Sequence, residues 1–158
     1  MGEQAVAEVW QALQSEASTL SANEPLLSSF YHTTINSHPT LRSALSDLLA
    51  EKLSDDVVSA VAMREIFEVA YEADSTLIEA ACADLLAVYT RDPAIRDYST
   101  VLLYLKGYHA LQSYRVANFM WRQGRQSLAS YLQSRMSSTL QVDIHPAANI
   151  GKCVMFDH

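Results

Sequence analysis

Apolar residues recur every three or four positions through most of this chain, and the rhythm changes only near its end. Val6, Val9, Trp10, Leu13, Ala17 and Leu20 share one face of a 3.6-residue period, which predicts an amphipathic helix over about residues 4–20. The stretch "SANEPLLSSFYHTTI" predicts a second, with Asn23 as N-cap and Pro25 in the first turn, where its missing N–H costs nothing. Leu26, Leu27, Phe30, Tyr31 and Ile35 are its expected buried face. His38-Pro39 interrupts the pattern, and Leu41, Leu45, Leu48 and Leu49 begin it again. Ser54, followed by Asp55 and Asp56, is expected to cap a long helix running to about Ala73. Asp74-Ser75 opens the next, carried by Leu77, Ile78, Ala81, Leu85 and Val88 and broken at Asp92-Pro93. Ser99 or Thr100 starts an apolar stretch that runs to Gln123 and is expected to bend at Gly107, and Gly124 separates a last helix ending near Ser138. Seven or eight packed helices follow from this reading, with no linker, low complexity or helical repeat between them.

The tail, "VDIHPAANIGKCVMFDH", follows another period. Ile144, Ile150 and Phe156 are six apart, as are Ala148 and Val154. A six-residue period fits neither helix nor flat strand, but it matches a parallel β-helix built from hexapeptide turns, with an aliphatic pointing inward from each side of a triangular coil. The expected fold is mainly α: a helical domain over residues 1–140, then the beginning of a β-helix over 141–158.

Composition narrows the function. With 158 residues and 17.6 kDa the chain suits one principal core. A net charge of −7 argues against a general nucleic-acid binder. The charges are uneven, however. Lys106, Arg115, Arg122, Arg125 and Arg135 fall in an acid-free stretch, leaving 18 acids against 6 bases elsewhere. A solvated or subunit-facing helix surface is the simpler explanation of that stretch, and an anion site the alternative. Cys82 and Cys153 have no disulfide or zinc spacing, no apolar run is long enough for a membrane span, and the acidic start is no signal peptide, so a cytoplasmic protein without membrane contact is expected.

Three words carry a resemblance: "EPLLSSFYHTTINSHPTL", "TRDPAIRDYSTVLLYLKGYHALQSYRVANFMW" and "QVDIHPAANIGKCVMFDH". Together they resemble serine O-acetyltransferase, a hexapeptide-repeat acyltransferase that begins cysteine biosynthesis from serine. "DIHPAANIG" is shared by many acyltransferases of that kind, whereas the Asp-Pro and Lys-Gly-Tyr-His words belong to the helical domain of this family. The resemblance implies a left-handed β-helix of which residues 141–158 are the truncated first coil. It also implies trimers through that β-helix, paired through the helical domains into a hexamer, and a C-terminal tail that docks on O-acetylserine sulfhydrylase. Acetyl-CoA is the implied co-substrate, L-serine the acceptor and L-cysteine a feedback inhibitor, with no permanently bound cofactor and no metal. Much of the acetyl-CoA site is implied to lie beyond residue 158, so residues 1–158 are expected to be inactive alone.

Acetyl transfer to an alcohol requires removal of the hydroxyl proton as the oxygen attacks, and a histidine near pKa 6.5 suits that task. By resemblance His158 is the general base and Asp143 the carboxylate that orients its imidazole. Spacing permits the pair: positions one coil of about 18 residues apart stack roughly 4.8 Å from each other, which puts 143 and 158 on neighbouring coils but three residues out of register. Asp92 and Asp157 match the family's substrate-binding carboxylates, suited to the ammonium of free serine.

Without the resemblance these residues read as surface, boundary or turn positions. His145, His32 and His38 have no carboxylate or histidine at ligand spacing, and His109 reads as a packed helix residue, so no metal site is expected. An acetyl-Cys153 intermediate lacks a neighbouring base. The tyrosines, Trp10 and Trp121 read as core and interface anchors. The alternative to an acyltransferase is an inactive helical oligomerisation fragment; a small hydrolase using His158 and Asp143 lacks a nucleophile motif.

Overall fold

A computed structural model describes residues 2–152. Cys153, Val154, Phe156, Asp157 and His158 therefore lie outside the described residues. The mainly α expectation holds: the described residues form eight α-helices and no strand. They are α1 (Glu3–Asn23), α2 (Ser28–Tyr31), α3 (Leu41–Leu53), α4 (Ala60–Ala73), α5 (Thr76–Arg91), α6 (Tyr98–Tyr104), α7 (Lys106–Arg122) and α8 (Gln126–Leu140). A 3₁₀ turn at Pro25–Leu27 leads into α2, and a π turn at His32–Asn36 leaves it.

α7 is the centre. Its residues from Tyr108 to Ala117 are all buried, so the helix has no solvent face over nearly three turns. α8 folds back on it, α4 and α5 pack on other sides, and α1 lies across α5 and α6. α3 and α4 form a second helical hairpin, joined to the first through α3 and α8. Leu13, Leu45, Leu49, Phe67, Leu85 and Leu111 are sealed in the common core, where truncation of such a side chain to alanine costs about 2–5 kcal/mol. Gly124 makes the turn between α7 and α8 at φ +82°, in the left-handed region that glycine adopts without strain.

Several boundaries differ from the sequence expectation, because side chains closed turns that the pattern could not rank. Ser54 ends α3 instead of opening α4. Asp55 forms a loop of its own, its Oδ1 accepting the N–H groups of Val57 and Val58, and Ser59 caps α4. Asn23 is the last residue of α1, and Pro25 follows Glu24 in the 3₁₀ turn. Asp97, and neither Ser99 nor Thr100, caps α6 by accepting from the Thr100 amide at 2.8 Å. The chain leaves the helix at Leu105, two residues before Gly107.

Of the five residues predicted for the buried face of the second helical segment, two are buried. Tyr31 and Ile35 are buried, whereas Leu26 is 91% exposed and Leu27 and Phe30 are also exposed. Phe30 stacks on Tyr104, itself exposed, at a ring separation of 6.3 Å, so an apolar patch continues from α2 onto α6.

Candidate functional site

The tail enters the site through α8. Gln141 stands at φ 61°, in the left-handed region, and turns the chain out of the helix. From Val142 to Lys152 the backbone is irregular and crosses the surface between α5 and α7. Val142, Ile144, Ala148 and Ile150 are half-buried against the helical core; Ile144, Ala148 and Ile150 are the members of the six-residue pattern among the described residues.

Polar side chains of α7 hold this segment by its main chain. The Tyr114 hydroxyl donates to the Ala148 carbonyl and accepts the Ile150 N–H. Asn118 Nδ2 donates to the Pro146 carbonyl at 2.7 Å and lies 3.3 Å from that of Ala148. Arg115 Nη2 donates to the Gly151 carbonyl at 2.8 Å. Trp121 meets the His145 ring edge to face at 5.0 Å, and His145 Nδ1 in turn accepts the Ala147 N–H. These contacts answer to backbone atoms, which an irregular segment must otherwise leave to water. They enclose a groove of about 710 Å³ whose walls include Thr76, Leu77, Arg122, Asn149 and Lys152.

The base of the groove is charged. Asp84 and Arg115 pair at 2.6 Å, 0% and 7% exposed, with Gln112 Nε2 donating to the same carboxylate oxygen. Tyr108, on the same face, donates to the Ala81 carbonyl, and burial pushes its hydroxyl well above its ordinary pKa. Sequence patterning missed this pair: residues 31 apart on two apolar helices carry no periodic signature of contact. Of the acid-free stretch, Arg115 therefore points into the protein and Arg135 donates to the Leu53 and Ser54 carbonyls that end α3. Those two cations are structural; the surface reading applies to the rest.

Asp143 is exposed, and its Oδ1 accepts from Gln133 Nε2 of α8 at 2.8 Å. Asp92 ends α5, its Oδ1 accepting the Ala94 N–H at 2.9 Å. Among the described residues no hydrogen bond joins Asp92 to Asp143. The loop after Asp92 is nonetheless tightly held. Glu16 of α1 accepts from the Tyr98 and Ser99 amides and the Ser99 hydroxyl, and Tyr89 packs edge to face on Tyr98 at 4.7 Å. Asp157 and His158 lie outside the described residues.

The remaining histidines do not form a metal group among the described residues. His38 does acquire a carboxylate that its sequence neighbours lack, Asp47 at 3.5 Å, along with Ser43 at 2.8 Å. His109 is fully buried, as expected, with Nε2 against the Leu102 carbonyl at 2.6 Å, and burial pulls its pKa down to about 4. A second groove, of about 650 Å³ between α1 and α2, is walled by hydroxyls and His32 and contains none of the carboxylates named above.

Comparison with known proteins bears on the whole arrangement. The family model described as the N-terminal part of serine acetyltransferase matches residues 9–113. The serine acetyltransferase of Escherichia coli K12 is 55% identical over 150 residues, which are 95% of this chain and 55% of that protein. The chain thus spans about half the length of the curated relatives it matches. A serine acetyltransferase solved in complex with CoA superimposes with a TM-score of 0.94 at 51% identity, covering 96% of this chain and 64% of the other. Another, solved in complex with cysteine, gives a TM-score of 0.92 at 51% identity, covering 95% and 62%. A match across most of the helical bundle, sustained at this identity and in three dimensions, makes the chain a member of the serine acetyltransferase family.

Proposed function

We propose that this chain is the helical domain and the start of the catalytic coil of an enzyme that transfers acetyl from acetyl-CoA to the hydroxyl of L-serine. The observation that carries the reading is the family match, which extends over nearly all of the chain. The relatives solved with CoA and with cysteine support acetyl-CoA as donor and a site that accepts an amino acid of this size.

In this reading residues 141–158 begin a left-handed β-helix. His158 takes the serine hydroxyl proton as the oxygen attacks the thioester carbonyl carbon; the C–S bond then breaks, and the imidazolium returns the proton to the leaving CoA thiolate. Asp143 orients the imidazole and stabilises its cation. Asp92 and Asp157 receive the substrate ammonium. The position of Asp92 supports that role. A carboxylate at the C-terminal end of a helix opposes the dipole, at a typical cost of 0.3–1 kcal/mol, while its one described hydrogen bond is an Asx turn that asparagine would make equally well. L-cysteine is proposed to inhibit at the same site.

Assembly belongs to the same proposal: trimers through the β-helix, paired through helical domains into a hexamer, with O-acetylserine sulfhydrylase as a partner. The apolar patch of Leu26, Leu27, Phe30 and Tyr104 supports self-association. A cytoplasmic location accords with Cys82, a buried thiol that burial pushes up to about 11.

The test is direct. The protein expressed from its complete reading frame, mixed with L-serine and acetyl-CoA, should release CoA to a thiol reagent only when serine is present. His158→Ala should abolish most of that release, and serine-independent release at the same rate would refute the acceptor.

A further inference from the structure

The Arg115–Asp84 pair does more than hold the bundle together. Burying a guanidinium and a carboxylate costs several kcal/mol per ion before their attraction is counted, and apolar residues of similar volume commonly serve stability as well. The pair's remaining contacts give it a use. Arg115 is fixed on the inside by Asp84 at 2.6 Å and by its own Nε donating to Gln112 Oε1 at 3.2 Å. On the outside Nη2 reaches the Gly151 carbonyl at 2.8 Å and Nη1 lies 3.4 Å from that of Ile150. A planar guanidinium spreads its donors over three nitrogens at fixed angles and so spans an internal carboxylate and two external carbonyls; an ammonium concentrates its three on one nitrogen. Charge-assisted bonds of this kind are roughly twice as strong as neutral ones. They also ignore side-chain identity in the tail, because they grip its main chain.

We propose that Arg115, held in place by Asp84, is a positioning residue for acetyl transfer: it fixes the backbone at Ile150 and Gly151 and thereby sets where the coil carrying Asp157 and His158 begins. The inference rests on the acetyltransferase reading above. His158 follows Gly151 by seven residues, so in the coil of that reading a shift at the clamp moves the start of the segment that carries the base. Displacement of a reacting group by about 1 Å can cost on the order of a hundredfold in rate.

The experiment uses the protein from its complete reading frame. Arg115→Lys keeps a cation opposite Asp84 but cannot reach all of the acceptors. It should lower kcat by about tenfold or more while the KM for serine and for acetyl-CoA stays within about threefold. Amide exchange at residues 148–152 should quicken while that of α7 stays protected. The double variant Arg115→Met, Asp84→Leu removes both charges of the pair together, and should lose kcat similarly while melting within a few degrees of the parent. Parental kcat in folded Arg115→Lys would overturn the proposal. So would loss of the helical fold in the double variant, which would make the pair an element of stability alone. A parent protein that releases no CoA on addition of serine would instead defeat the acetyltransferase reading, and this inference with it.

Discussion

Gln133 donates its side-chain amide to Asp143 Oδ1 at 2.8 Å, so the last helix holds the carboxylate proposed to orient the catalytic histidine. The bond engages one carboxylate oxygen, and in the proposed mechanism the imidazole of His158 meets the other. In the complete enzyme His158→Ala should remove most of kcat, and Asp143→Ala should add little to that loss in the double variant, since a base and its orienter act as one unit. Steady-state kinetics of the four proteins check this; losses that multiply would separate the two residues. Gln133→Ala should reduce kcat by only a few fold, the scale of one hydrogen bond.

Asp92→Asn keeps the Asx turn with Ala94 and deletes only the charge. It should therefore raise the KM for serine far more than that for acetyl-CoA, with the helices melting as before. Asp157→Asn should behave alike, and both replacements should weaken inhibition by cysteine. Initial-rate measurements against each substrate provide the readout, and a rise confined to the acetyl-CoA KM would move these carboxylates to the donor side.

His109 predicts a pH dependence of stability. Its pKa falls from 6.5 to about 4 on folding because burial disfavours the cation. The unfolded chain therefore binds a proton that the folded one refuses over that interval, and stability is full above about 6.5 and declines as the pH drops toward 4. The shift corresponds to on the order of 3 kcal/mol. His109→Gln, which retains a donor for the Leu102 carbonyl, should flatten the decline in melting temperature between pH 6.5 and 4. An unaltered slope would assign the acid sensitivity to other groups.

The helices were legible because three- and four-residue spacing reports burial on one face, and Leu13, Leu45, Phe67 and Leu85 obey it. Their ends were less so. Ser54, Asp55 and Ser59 are all plausible caps, and the choice fell to the Asp55 loop, which Tyr131 of α8 ties down from 76 residues away. The period singled out Ile144, Ala148 and Ile150, which pack on the helical core, but it said nothing of the tail's anchors. Arg115 read as one of five surface cations and Tyr114 as a core or interface anchor, and the atoms that they and Asn118 hold in the tail are backbone atoms, which have no residue identity to recognise.

Leu26, Leu27, Phe30 and Tyr104 make the assembly reading testable. Residues 1–140 should scatter light as a species larger than a monomer, because this apolar patch is suited to a second copy. Leu26→Lys with Phe30→Ser should shift the population toward monomer without loss of helical circular dichroism, since neither side chain belongs to the buried core. A clean monomer of the parent at tens of micromolar would place oligomerisation elsewhere.

Glu16 and Ser99 lie 83 positions apart, yet their carboxylate and hydroxyl meet at 2.9 Å beside the loop that follows Asp92. That contact constrains how the protein can be recombined. A chimera of two family members with its crossover between α1 and α6 takes residue 16 from one parent and residue 99 from the other. Where the parent that supplies α1 lacks the glutamate, the amides of Tyr98 and Ser99 lose their acceptor and the Asp92 loop loses its anchor, however well the remaining helices match. Crossovers after α6 keep the two together, and on that ground are the ones from which working hybrids should be recovered.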